Sequence, residues 1–165
     1  MQARSAVEFA GASRVHVALE VRDLWASIAF YRALFEREPV KVRGDYAKFE
    51  PASPPLNLSL NLLPAGAERP ARRQGDQHFG IQVKSSSEVE RVRARLEAAG
   101  LATRVEQATA CCYAVQDKVW VTDPDGNPWE VFVVLADSET RSPGAAQPGC
   151  CVPATSSVPS GGACC

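Results

Sequence analysis

Two histidines occur in the 165 residues, His16 and His78, and they fall at matching places in two similar segments. Arg14-Val-His16-Val-Ala-Leu-Glu-Val21-Arg-Asp23 repeats as Asp76-Gln-His78-Phe-Gly-Ile-Gln-Val83-Lys-Ser85 at a constant offset of 62. A third candidate, Glu130, lies in the last apolar run of the chain. Two imidazoles and one carboxylate with open coordination positions make the facial triad of non-haem Fe(II) centres. A hydrolytic zinc centre with two His and one Glu offers the same residues. With no metal at all, they are two hydrogen-bonded strand histidines and an edge glutamate. The repeat-equivalent placement and the lack of any other histidine favour a metal.

The six cysteines form three adjacent doublets, Cys111-Cys112, Cys150-Cys151 and Cys164-Cys165. Random placement of six would give about 0.2 adjacent pairs. Neighbouring cysteines make poor disulfides: a trans peptide spaces their Cα atoms about 3.8 Å apart, short of the roughly 4.4–6.8 Å that a disulfide prefers. Two adjacent thiolates can instead converge on one soft ion or metalloid. The plainer reading is a buried apolar doublet at Cys111-Cys112 and incidental cysteines further on.

These side chains need elements to hold them. Each histidine lies in an alternating segment, as a half-buried strand requires. Val15, Val17, Leu19 and Val21 share one face while His16, Ala18 and Glu20 share the other; Phe79, Ile81 and Val83 oppose His78, Gly80 and Gln82 in the second copy. Each strand leads into a helix start, with Asp23 as an N-cap in the first copy and Ser85-x-x-Glu88 as a capping box in the second. Helical spacing follows at Leu24, Ile28, Tyr31 and Phe35, ending by Pro39, and at Val89, Val92 and Leu96, ending at Gly100. Three further strands are expected after each helix: 40–43, 46–49 and 56–63, then 102–106, 118–122 and 129–135. Asp123-Pro-Asp-Gly126 is a turn between the final two. This predicts an α+β fold of two paired βαβββ modules, 14–63 and 76–136, forming a curved sheet cup with helices outside. His16, His78 and Glu130 would converge inside it.

Hydrophobic residues make up 45% and charged residues 22%, the balance of a globular domain. Eighteen basic against nineteen acidic residues leave a net charge of −1, which disfavours electrostatic nucleic-acid binding. No apolar run approaches the roughly 18–20 residues of a membrane helix, and residues 1–13 lack a signal-peptide core. A cytoplasmic protein, monomer or homodimer, is expected, with no membrane or nucleic-acid partner. From residue 137 to 165 the chain lacks Leu, Ile and aromatic residues, the composition of a disordered tail.

His16 with its strand, Asp23-Leu-x-x-Ser27-Ile-x-Phe-Tyr31 and Asp123-Pro-Asp-Gly-Asn-x-Trp-Glu130 resemble the vicinal oxygen chelate superfamily of glyoxalase I, bleomycin-resistance proteins and extradiol dioxygenases. Lys41-Val-Arg, Pro54-Pro-Leu, Thr109-Ala-Cys-Cys-Tyr-Ala114 and Gln116-Asp-Lys118-Val-Trp more narrowly resemble the bacterial carbon–arsenic lyases, whose relatives are often labelled cadmium-induced proteins. That resemblance implies a non-haem Fe(II) enzyme using O2 to cleave the C–As bond of trivalent organoarsenicals, methylarsenite and reduced aromatic arsenicals, with arsenite as product. It implies metal ligation by His16, His78 and Glu130 and arsenic binding by Cys111 and Cys112. Cys150, Cys151, Cys164 and Cys165 would be auxiliary arsenic ligands. Glyoxalase-type relatives use a fourth ligand on the last strand of the first module; aligning Pro55-Leu56-Asn57 with Pro128-Trp129-Glu130 puts Asn57 there, and no carboxylate stands nearby. Three ligands favour oxygen chemistry over isomerisation. The alternatives are a non-catalytic arsenic- or cadmium-sequestering resistance protein and a glyoxalase-like metalloenzyme. Tyr113, Gln116, Asp117 and Lys118 flank the doublet, either shaping a pocket or forming a solvated loop; Trp120 and Trp129 read as core aromatics.

Overall fold

The computed structural model describes residues 7–9, 11–67, 77–111 and 113–139. The chain divides into two compact units, Met1–Ala67 and Glu68–Cys165. Each holds one four-stranded mixed sheet and one helix, so the α+β class and the two βαβββ orders are as expected. No helix of the described residues is long and apolar enough to cross a membrane.

In the first unit, β1 (Val15–Val21) leads through α1 (Leu24–Phe35) to β2 (Lys41–Arg43), β3 (Tyr46–Phe49) and β4 (Leu56–Leu62). The sheet order is β1-β4-β3-β2, with β1 parallel to β4. Asp23 is the N-cap of α1, accepting from the backbone N–H of Trp25 and Ala26 at 2.9 Å each. This satisfies two of the donors that a helix start leaves open. Leu24, Ile28, Tyr31 and Phe35 are buried as their spacing predicts, together with Phe30 and Leu34. The helix ends at Glu36 in the left-handed region (φ 53°), three residues before Pro39. Tyr31 packs between Phe35 and Phe49, with ring centroids 5.8 and 6.1 Å away.

In the second unit, β5 (Phe79–Gln82) leads through α2 (Ser86–Ala98) to β6 (Thr103–Cys111), β7 (Ala114–Thr122) and β8 (Pro128–Asp137), in the order β5-β8-β7-β6. Half of the expected capping box forms, Ser85 Oγ accepting from Glu88 N at 3.3 Å, while Glu88 Oε2 accepts from Lys84 N, one residue before the cap, at 2.8 Å. Val89, Val92 and Leu96 are buried. On β7 and β8 the buried apolar set is Val119, Trp120, Val121, Trp129, Val131 and Val133. Ser86 at the start of α2 donates to Asp117 Oδ2 at 2.6 Å, which puts α2 on the face of the sheet shared by Asp117, Val119 and Val121. The Asp123 turn closes as expected, Oδ1 accepting from Asp125 N at 3.0 Å and from Asn127 N at 2.7 Å.

Three strands run further than their sequence suggests. β6 continues to Cys111 and β7 begins at Ala114, and these two residues pair, so a hairpin replaces the expected loop. The register shifts between Glu106 and Thr109, where Ala108 takes φ 46° and its N–H donates to Asp117 Oδ1 at 2.8 Å. Such a bulge breaks the side-chain alternation while the backbone ladder resumes beyond it. β8 likewise runs through Asp137, past the expected 135, and Ser138 N donates to Tyr113 O at 2.7 Å.

Candidate metal centre

Glu130 is the third residue of β8, paired with Gly80 of β5 on one side and Trp120 of β7 on the other. Trp120 in turn pairs with Arg104 of β6. Residues in cross-strand register project to the same side of a sheet, so Arg104, Trp120 and Glu130 form a row on the face opposite α2. The next row is Glu106, Lys118, Phe132 and Gln82. His78, two residues before Gly80, shares that face by strand alternation. A sequence that alternates Val119, Val121, Val131 and Val133 with Lys118, Trp120, Glu130 and Phe132 keeps one face wholly apolar and sets Lys118 and Glu130 among aromatic rings on the other.

The geometry around Glu130 is tight. His78 Nε2 lies 3.4 Å from Glu130 Oε1, and Lys118 Nζ donates to Oε2 at 3.0 Å. Glu130 is 7% and Lys118 2% exposed, whereas the His78 side chain keeps 36% of its surface, so the imidazole is the group that reaches outward. Burial pushes the Glu130 carboxyl up. Its contact with His78 and the charge and hydrogen bond of Lys118 outweigh that penalty and hold it below the usual carboxylate range. Gly80 supplies the room: a Cβ there would meet Glu130 Oε1 and Phe132 Cε1 at 3.2 Å each. The Trp120 ring stands edge-on to His78 with centroids 5.2 Å apart.

These donors fit a divalent metal. An imidazole nitrogen and an ionised carboxylate oxygen stand side by side, and the second carboxylate oxygen is already occupied by Lys118, as outer-shell partners of metal ligands commonly are. Among the described residues of this unit, no third His, Cys, Asp or Glu joins them.

In the first unit, His16 is exposed on β1 in register with Asn57 of β4, and its Nδ1 lies 3.1 Å from the Asn57 carbonyl oxygen. A carbonyl only accepts, so Nδ1 carries the proton and a neutral ring keeps Nε2 as the lone-pair nitrogen. This is the orientation that metal-ligating histidines adopt. The register also corrects the match made by counting from the prolines. Gly80 pairs with Glu130, and its repeat equivalent Ala18 pairs with Ser59, so Ser59 and not Asn57 is the counterpart of Glu130. The Tyr46 and Ser59 hydroxyl oxygens lie 3.3 Å apart on the same diagonal that joins Lys118 to Glu130. No carboxylate stands at the first-unit position.

Cys111 closes the β6–β7 hairpin and is half-buried. Its partner Ala114 is six residues along β7 from Trp120, about 20 Å at about 3.3 Å per residue. Cys112 and the auxiliary cysteines Cys150, Cys151, Cys164 and Cys165 lie outside the described residues. Tyr113 is half exposed with φ 64°, whereas Gln116 and Lys118 are buried strand residues rather than a solvated loop. The Lys118–Glu130 pair and the space at Gly80 are site features that the sequence reading missed. A lysine alternating with Val119 and Val121 was the available signal.

The Glyoxalase/Bleomycin resistance protein/Dioxygenase superfamily model matches residues 13–131. A trivalent organoarsenical cleaving enzyme of Thermomonospora curvata is 51% identical over 141 residues, 86% of this chain and 89% of that protein. The cadmium-induced protein CadI of Mycobacterium bovis is 50% identical over 132 residues, 80% of this chain and 83% of the relative. Among solved structures, a glyoxalase/bleomycin resistance protein/dioxygenase from Alicyclobacillus acidocaldarius superposes with a TM-score of 0.60 at 16% identity, covering 76% of this chain and 93% of the other.

Proposed function

Because this chain belongs to the Glyoxalase/Bleomycin resistance protein/Dioxygenase superfamily, we propose that it is a metal-dependent enzyme cleaving the carbon–arsenic bond of trivalent organoarsenicals. Methylarsenite and reduced aromatic arsenicals are the substrates in this reading, and arsenite is released in the cytoplasm. The observation that carries it is His78 Nε2 at 3.4 Å from a buried, ionised Glu130 whose other oxygen is held by Lys118. The name and high identity of the Thermomonospora curvata relative support the substrate class.

His16, His78 and Glu130 are the residues that would hold the metal. Fe(II) bound by them would supply O2 activation. The chain's own part is preparation: Lys118 keeps Glu130 ionised and turned, the Asn57 carbonyl fixes the His16 tautomer, and Trp120 backs His78. Cys111 and Cys112 take the trivalent arsenic, a soft centre suited to two thiolates. The register shifts at Glu106/Thr109 and Val115/Gln116 are where the hairpin end would bend to bring arsenic inward. The cysteine-rich tail raises the local concentration of soft ligands and captures substrate.

Anaerobic loading with Fe(II), then methylarsenite and O2, followed by arsenic speciation, tests this reading. Arsenite is the expected product. Methylarsenite recovered intact would instead identify a sequestering protein, the reading that the cysteine doublets and the cadmium-induced relative favour.

A further inference from the structure

We infer that Arg104 and Glu106 are positioning residues for the metal centre: they set the place and the net charge of Lys118, and through it how strongly Glu130 holds a divalent cation. This rests on the metal-centre reading above and extends the site to β6, the strand furthest from β5 in the sheet.

Register places both residues. Glu106 of β6 stands directly opposite Lys118 of β7, on the face that carries Glu130. Lys118 pairs with Phe132 of β8, so Glu130, two residues earlier, is its diagonal neighbour, and the ammonium reaches Oε2 at 3.0 Å. Arg104, two residues before Glu106 and on the same face, donates to Glu106 Oε1. Four charges therefore alternate in sign across three strands: Arg104, Glu106, Lys118 and Glu130. His78 Nε2 ends the row, 3.4 Å from Glu130 Oε1. The Trp120 ring takes both cations, with the Arg104 guanidinium carbon and Lys118 Nζ each 5.4 Å from its centroid.

Burial rises along the row towards the metal ligand. The Arg104 side chain keeps 40% of its surface, Glu106 11% and Lys118 3%. A fully exposed ion pair would contribute little, but a carboxylate so far out of water acts on a buried ammonium with little screening. The four charges sum to zero, so a divalent cation approaching Glu130 meets no net repulsion from them. β6 lies two strand spacings from β8, about 10 Å. That is about one Debye length, so a unit charge left uncancelled there reaches the metal centre. Without the Glu106 charge, Arg104 and Lys118 outnumber Glu130; without the Arg104 charge, the row turns negative. The two losses therefore shift metal affinity in opposite directions, whereas a pair that only braces the strand would weaken binding from either side.

Titration of the full-length chain with Mn(II) at low ionic strength, followed by the electron paramagnetic resonance of the free ion, tests this. Mn(II) prefers carboxylate to thiolate ligands, so the cysteine doublets compete poorly for it. Glu106→Gln should bind about tenfold more weakly than wild type, and Arg104→Gln about tenfold more tightly. Arg104→Gln/Glu106→Gln restores neutrality without restoring the ion pair, and should return to within about threefold of wild type. Where Glu106→Gln folds poorly, Arg104→Gln alone decides, because a bracing role gives no route to tighter binding. Weaker binding in both single variants, unchanged binding in both, or wild-type binding that survives His78→Ala overturns the inference. The opposed shifts, in a chain that leaves methylarsenite intact when loaded with Fe(II), would uphold it and overturn the proposed reaction.

Discussion

Lys118 Nζ lies 3.0 Å from Glu130 Oε2 across neighbouring strands, and both side chains are almost wholly removed from water. Removing a lysine and a glutamate from solvent costs several kcal/mol per ion unless each meets the other. The pair therefore ties the stability of the second unit to the same carboxylate that faces His78. Lys118→Met should destabilise the metal-free protein by about 3–5 kcal/mol, because it strands a buried charge. Lys118→Met/Glu130→Gln should recover much of that loss, as urea unfolding of the two variants would reveal. Equal losses in the single and double variants would mean that the lysine acts through packing alone.

Gly80 leaves space that Glu130 occupies. A methyl group there would press on Oε1 and on the Phe132 ring at 3.2 Å. Gly80→Ala should weaken divalent-metal binding by about 10–100-fold, the range seen when the support of a ligand is disturbed. Competition against a chromophoric chelator measures this, with His78→Ala as the reference for a lost ligand. Full metal stoichiometry in His78→Ala would remove His78 from the centre.

Asp117 is held below the usual carboxylate range by the Ser86 hydroxyl first and by the Ala108 N–H second, against a smaller opposing effect of burial. A carboxylate depressed on folding adds stability above its unfolded value, about pH 3.9, and that stability is lost as pH falls through the lower folded value. The gap in urea midpoint between wild type and Asp117→Asn should be widest near neutral pH and close in acid. A gap independent of pH would show that hydrogen bonding alone, without charge, holds the β6 bulge to α2.

Cys111→Ser/Cys112→Ser, made in a chain truncated after Glu139, should keep its Fe(II) and lose methylarsenite cleavage, because serine hydroxyls are hard and stay protonated. The cut respects β8 and the Ser138–Tyr113 hydrogen bond, and it removes the four other thiols. The truncated parent should turn over normally at saturating arsenical and capture substrate less well at low concentration. Parental cleavage rates in the doubly substituted protein would exclude thiol docking.

Much of this protein was legible as a string of residues. Spacing alone assigned Leu24, Ile28, Tyr31 and Phe35 to the buried side of α1, and capping chemistry placed both helix starts, because periodicity and caps are local properties. The offset that relates His16 to His78 exposed the duplicated βαβββ order for the same reason. The Lys118–Glu130 diagonal, the match of Ser59 rather than Asn57 to Glu130, and the reach of β6 and β7 to the cysteine hairpin were decided only by tertiary structure. Each depends on the register between strands distant in sequence. Backbone pairing sets that register, and a bulge at Ala108 shifts it without leaving a readable pattern in the side chains.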